Sequence, residues 1–268
     1  MRQPQEPVCG SIFSMPTHTA DALVLRTYRY GEADRIVVFL TEHHGKKRGV
    51  AKNATNSRRR FGAALEPLTR GRVTYVERET RELVRVDRIE PRQSPLRASA
   101  GRLPGDGAHA LGHTAYFAEL LDEWSPESSP NERLFRLGVA MGDALCHAGS
   151  VAALARYFEY WLLRLEGVYP ALVVCPRCGR KTLGQGAWLA MGERAYVCLE
   201  CGHGRPRLSP EAVACVRGFA RLAPADAGAS DVPPRVLREV EGVHDRLMAL
   251  HLERELRSAR VVRELGPE

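Results

Sequence analysis

The pattern of apolar and polar positions divides the chain into two kinds of texture. From residue 21 to 91 the apolar residues fall in short runs separated by turns. Ala22-Leu23-Val24-Leu25 and Ile36-Val37-Val38-Phe39-Leu40 are continuous, whereas Arg72-Val73-Thr74-Tyr75-Val76 and Leu83-Val84-Arg85-Val86-Asp87-Arg88-Ile89 alternate. Lys46 to Lys52 is a weaker, basic segment around Val50. Runs of this length, rich in β-branched and aromatic residues, read as strands. Tyr28 to Asp34, with Gly31, supplies a first turn and His44-Gly45-Lys46 a second. Five such strands in succession predict a small, closed or nearly closed barrel, and the pattern fits an OB-fold or an SH3-like barrel alike.

Beyond Pro91 the period lengthens. Pro91, Pro95, Pro104, Gly101, Gly105 and Gly107 mark a linker. His109 to Trp124 then carries apolar residues at helical spacing. Ser129-Pro130-Asn131-Glu132 reads as a capping box with proline at the first helical position, opening a helix to about His147. Ser150 caps a further helix through Leu165, ended by Gly167, with Leu154, Phe158, Trp161, Leu162 and Leu165 facing a core. Ser209-Pro210-Glu211 opens another helix, 223–234 reads as a loop, and a last long helix is expected from Pro234 to Ser258.

The sharpest chemical signal interrupts this helical part. Cys175-Pro-Arg-Cys178-Gly179 and Cys198-Leu-Glu-Cys201-Gly202 form two knuckles at the spacing of a four-cysteine zinc site. Four thiolates fill a tetrahedral shell and leave no position for a reacting water, so one structural zinc per chain is expected. Gly179 and Gly202 follow each knuckle, where a tight turn favours positive φ. Ala187-Trp188-Leu189 and Ala195-Tyr196-Val197 suggest a hairpin between the knuckles. The expected division is therefore a disordered extension at 1–20, a barrel at 21–91, and a helical domain at 92–268 with the zinc module, 173–206, inserted. Cys146 and Cys215 read as small core residues, and Cys9 falls in the extension.

Composition narrows the function. Met1 to Thr19 has no apolar core of a secretory signal, and no apolar run approaches the ~20 residues of a membrane span. The expectation is a cytoplasmic protein, nucleoid-associated and without membrane contact, in a reducing compartment that favours metal over disulfide. The net charge is +7, and residues 21–91 hold 16 Lys and Arg against 10 Asp and Glu. Within them Gly45 to Arg60 carries Lys46, Lys47, Arg48, Lys52, Arg58, Arg59 and Arg60 with no acid. Such a run, with a polar loop at Asn53 to Ser57, suits phosphate contacts. Tyr28, Tyr30, Phe39, Phe61 and Tyr75 are the aromatic residues available for base stacking, Phe39 being better placed in the core. Gly-x-Ser-x-Gly, P-loop and His-Glu-x-x-His patterns are absent, and no catalytic residues are assigned. A zinc-ribbon transcription factor would place bases around the knuckles, yet 182–204 holds only Arg194. A metal-dependent nucleic-acid enzyme would need clustered carboxylates.

Taken in order, several segments resemble the bacterial RecO family of recombination mediators. They are Ala22-Leu23-Val24-Leu25-Arg26, Gly31-Glu32-Ala33-Asp34-Arg35, Thr41 to Lys46, Gly49-Val50-Ala51-Lys52 and Ser57 to Pro67. Downstream, Arg156 to Leu163, Gly167-Val168-Tyr169-Pro170 with the first knuckle, and His251-Leu252 with Arg257-Ser258 continue the match. The resemblance implies an N-terminal OB-fold, a helical domain with an embedded zinc module, and binding of single- and double-stranded DNA. It implies annealing of complementary strands and, with the partner RecR, loading of RecA onto DNA coated by single-strand binding protein (SSB). Carried onto this chain, the family's basic barrel surface falls on Arg35, Lys46, Lys47, Arg48, Lys52 and Arg58 to Arg60. The pocket for the SSB tail is implied in the helical domain. Two departures stand out: residues 1–20 precede the usual start, and Asn53 occupies the place of a glycine.

Overall fold

The computed structural model describes residues 16–57, 59–62, 64–78, 82–98, 107–204, 206–252 and 256–265. Five strands, β1 (Thr17–Tyr30), β2 (Asp34–Thr41), β3 (Gly45–Ala51), β4 (Arg70–Val76) and β5 (Val84–Gln93), close a barrel in the order β1-β2-β3-β5-β4. The long β1 closes it by pairing with two neighbours: Thr17–Leu23 runs along β4, and Ala22–Tyr30 runs along β2. β3 and β5 pair in parallel. This is the OB-fold, and it settles the choice that the strand pattern left open. The expected boundary at residue 21 is corrected: Thr17 already pairs with Val76, so the barrel begins inside the supposed extension. Exposed, polar residues at Thr17 and Thr19 hid that part of the strand. Cys9 and most of the linker lie outside the described residues.

The apolar runs are continuous because these strands are buried on both faces. Val24, Val37, Phe39, Tyr75, Val86 and Ile89 fill the barrel. Leu23, Leu25, Val38 and Leu40 point outward and join the helical core. That core is built from α2 (Gly107–Trp124), α3 (Glu132–Leu145), α4 (Val151–Leu165), α5 (Pro210–Phe219), α6 (Pro224–Gly228), α7 (Pro234–Ala249) and α8 (Arg257–Leu265), after a single turn, α1 (Pro95–Ala98). Gly138 of α3 lies so close to β1 that a Cβ would meet Leu23 Cδ2 at 2.8 Å. Among the described residues no helix is long and apolar enough to cross a membrane.

Ser150 and Ser209 cap α4 and α5 as expected, their hydroxyls accepting from Ala153 N and Ala212 N. Three expectations need correction. α3 is capped by Asn131, whose side chain accepts from Leu134 N, and not by Ser129. The preceding residues are claimed by the barrel: Lys46 N donates to Pro126 O and Ser128 N donates to Lys46 O. Gly45, at φ +69°, passes within 2.4 Å of Ser129 O if given a Cβ, so only glycine permits this docking. The supposed loop 223–234 contains α6, a turn too short to show periodicity. The last helix breaks after Ala249, and α8 starts where Glu119 accepts hydrogen bonds from both Ser258 N and Ser258 Oγ.

The inserted module lies between α4 and α5. β6 (Ala187–Ala190) and β7 (Ala195–Cys198) form the expected hairpin, and β8 (Arg207–Leu208) adds a third strand against β6. Leu183, Leu189, Tyr196 and Leu208 are buried in the same core as the helices, so the module is part of the domain and not an appendage.

Candidate nucleic-acid interface and metal centre

Strand alternation divides the basic run. Lys46 points outward against the helical domain and is 6% exposed. Its Nζ donates to Asp122 O at 2.6 Å and pairs with Asp122 and Glu127 carboxylates at 3.2 and 3.4 Å. Lys47, on the opposite face, is 8% exposed and pairs with Glu77 at 2.7 Å. Arg48 pairs with Glu127 at 3.1 Å. Lys46 and Lys47 are thus withdrawn from the expected phosphate surface, and Arg48 is already compensated. With Arg26, which pairs with Glu119 at 2.9 Å, Lys46 clasps the barrel to the helices. Burial works against charge on Glu119, but Ser258 and Arg26 hold its pKa below the ordinary value.

The remaining positive charge gathers beyond β3. Lys52 and Arg59 are exposed. Arg60 is half-buried, donating to Lys52 O at 2.7 Å and Ser57 Oγ at 3.0 Å and covering the Phe61 ring. Phe61, Ala54 and Ala64 plug the barrel beneath it. Arg58 lies outside the described residues. Asn53 has φ 54°, a left-handed conformation that asparagine tolerates where glycine is usual. Its N–H donates to Asp34 Oδ1 at 2.7 Å, and Thr55 N donates to Ala33 O, so the loop is pinned to the β1–β2 turn.

This end of the barrel opens into a groove of about 740 Å³. Val50 and Val84 are among its apolar lining, with Tyr30, Lys52, Arg78 and Arg85 around them. It lies between the β1–β2 turn and the β4–β5 connection, where OB-folds hold oligonucleotides. Tyr28 and Tyr30 are 43% and 49% exposed, whereas Phe39, Phe61 and Tyr75 are buried. On the other face of the same hairpin Arg29 stands directly opposite Arg35 in the β1–β2 register. Like charges so placed repel, and a bound anion between them would relieve the cost. Arg29, Arg78 and Arg85 did not emerge from the sequence. They sit singly on three strands or their ends; Arg78 and Arg85 meet at the groove only when the barrel closes, and Arg29 lies on the opposite face beside Arg35.

The four knuckle cysteines meet. Their sulfurs all lie within 4.8 Å of one another, and Cys178 Sγ is 3.8 Å from Cys198 Sγ. A tetrahedron with metal–sulfur bonds of ~2.3 Å has edges of ~3.8 Å, whereas a disulfide needs ~2.05 Å. The cluster can therefore hold one metal ion. Gly179 N donates to Cys175 O and has φ +72°. Gly202 is not in the left-handed region. Its role is room, since a Cβ there would stand 2.4 Å from Val197 Cγ2. Burial opposes ionisation of Cys198, but N–H and S–H donors, first among them Cys201 N–H, bring its pKa down to about 6. In the metal-free cluster the hydrogen bonds to Cys198 and Cys178 push Cys201 up. His203 is exposed, outside the cluster.

A buried polar chain ties this module to the helices. Glu159 is fully buried and accepts from Arg156 at 2.7 Å, Tyr116 OH at 2.8 Å and His244 Nδ1 at 2.9 Å. His244 Nε2 in turn accepts from Tyr169 OH, which accepts from Tyr196 OH of β7. Burial lowers the pKa of His244 and so keeps it neutral, consistent with that chain of donors.

An OB-fold barrel packed on a helical domain with an embedded four-cysteine cluster defines a two-domain, metal-competent class. The families described as Recombination protein O N terminal and Recombination protein O C terminal match residues 15–95 and 107–260. The chain belongs to the RecO family of DNA repair proteins. A DNA repair protein RecO of Anaeromyxobacter sp. (strain K) is 35% identical over 91% of this chain and 95% of its own. One from Geobacter sulfurreducens is 35% identical over 92% and 98%. One from Koribacter versatilis is 44% identical over 60% of this chain and 64% of its own length.

Proposed function

We propose that the protein is a non-enzymatic, cytoplasmic and nucleoid-associated mediator of recombinational repair. It binds single- and double-stranded DNA, anneals complementary strands and, with RecR, assists loading of RecA onto SSB-coated DNA. The observation that carries the reading is the groove at the barrel mouth, where exposed Tyr30 stands beside Lys52 and Arg78. Lys52, Arg59, Arg60 and Arg35, joined by Arg29, Arg78 and Arg85, neutralise phosphates, and Tyr30 offers a face for a base. Arg58, their neighbour in sequence, is proposed to act with them. Annealing needs no catalytic side chain. It needs a surface that screens two backbones while leaving base edges free. The four cysteines hold one zinc ion whose role is structural, since no coordination position is left open.

The helical domain supplies partner contacts. A cavity of about 270 Å³ between α2, α4, α7 and α8 combines Leu237 and Val262 with Arg156, Arg238 and Arg263. Arg156 Nε is buried there without a partner. Such a cavity suits the acidic, apolar tail of SSB.

The test is charge reversal, Lys52→Glu with Arg59→Glu, in the full chain. Binding should weaken alike for unrelated DNA sequences. The slope of log affinity against log salt should fall by ~1.4 for single strands or ~1.8 for duplex. An unchanged slope would show that these side chains are merely solvated.

A further inference from the structure

Helix α7 carries a second concentration of positive charge, to which no barrel residue contributes. Arg235, Arg238 and Arg246 are exposed. At 100° per residue they fall with Gly242 in one narrow stripe ~16 Å long. Together with Arg207 of β8 they line a groove of about 730 Å³. Two glutamates offset part of this charge: Glu239, which also lines the groove and accepts from Ser209 N at 2.6 Å, and Glu211, which pairs with Arg235. Among the described residues Arg238 and Arg246 have no carboxylate partner.

Two further observations point to an extended ligand. A Cβ added at Gly242 would meet nothing within 4 Å. Packing does not require glycine there, and a glycine inside a helix is destabilising relative to alanine. Its effect is to leave the groove floor bare between two arginines, where a ligand backbone can approach the helix. Arg207 lies over the Trp188 ring at 5.4 Å, giving an arginine–aromatic surface on which a base can stack.

We propose that this groove holds the phosphate backbone of a second nucleic-acid strand, separate from the strand in the barrel groove. The proposal rests on the reading that the chain anneals complementary strands, which requires two backbones to be held at once. An acidic peptide is the rival occupant. It would meet no aliphatic or aromatic lining side chain here except Pro206, in contrast to the cavity lined by Leu237 and Val262.

The experiment compares the full chain with Arg207→Glu plus Arg246→Glu and, separately, with Gly242→Leu. Arg238 is left intact because it also borders the partner cavity. Labelled single strands are titrated to saturation, and annealing of complementary strands is followed by fluorescence. The intact chain should hold two strands and each variant one. In the arginine pair the salt slope of the second binding step should fall by ~1.4, and annealing should slow about tenfold. Affinity for the first strand should not change. Should the double reversal fail to fold, Gly242→Leu decides, because its side chain enters open space. Variants that still hold two strands and anneal at the original rate overturn the proposal. So do variants that keep both strands but lose a labelled acidic peptide. An intact chain that neither binds nor anneals DNA would instead overturn the reading on which the proposal rests.

Discussion

Replacing Cys178 with serine is expected to strip the metal from the chain and unfold much of the helical domain. The cluster closes the long connection between α4 and α5, which has little regular structure of its own. Cys175 and Cys198 are buried in the helical core itself, beside Leu183 and Tyr196. Structural zinc in small peptides contributes ~10–16 kcal/mol at neutral pH, as much as the whole stability of a typical domain, ~5–15 kcal/mol. The tryptophans, Trp124, Trp161 and Trp188, all lie outside the barrel, so their fluorescence reports this domain selectively. Metal analysis and fluorescence-detected melting should show loss of zinc together with a much lower transition. Protein purified without chelator that contains no zinc would refute the assignment.

Replacing Glu159 with alanine should destabilise the chain by ~3–5 kcal/mol, the cost of leaving a buried ion without its partner. Arg156 is 6% exposed and would keep only Glu241, at 3.0 Å. His244 and Tyr116 would lose their acceptor as well. The pH dependence has a definite sign. Burial opposes charge on Glu159, but Arg156 and His244 hold its pKa below 4.5. Its stabilisation is therefore complete above that value and is lost as pH falls through the lower folded value. His244 has a folded pKa below 6.5, chiefly through burial, so the unfolded chain takes up its proton first and stability already declines below about 6.5. Urea titrations across this range should show the acid-side loss in the intact chain, with the Glu159 part missing in the variant. A change under 1 kcal/mol would mean the chain of polar groups is not coupled to folding.

Both residues also mark how far the sequence could be read. The knuckles were legible because cysteine spacing alone brings the sulfurs together. Strand β2 was legible from a continuous apolar run, and β4 and β5 from an alternation that matches the pleat. Glu159 was not, because a carboxylate on an apolar helix face is explained only by Arg156, His244 and Tyr116, which lie on three different helices. Counting charges along Gly45–Arg60 overstated the phosphate surface for the same reason. Lys46 and Lys47 meet Asp122 and Glu77, acids distant in sequence. Residues 92–268 hold 22 Lys and Arg against 21 Asp and Glu, and that near-neutral total likewise hid the groove where three arginines of α7 meet Arg207 of β8.

The central claim is that DNA lies in the barrel groove. Photo-crosslinking of the full chain to a single-stranded oligonucleotide carrying 5-iododeoxyuridine, mapped by mass spectrometry, tests it most directly. The account predicts crosslinks at Tyr30 and in the loop that follows Ala51. A map with no crosslink on the barrel would contradict it.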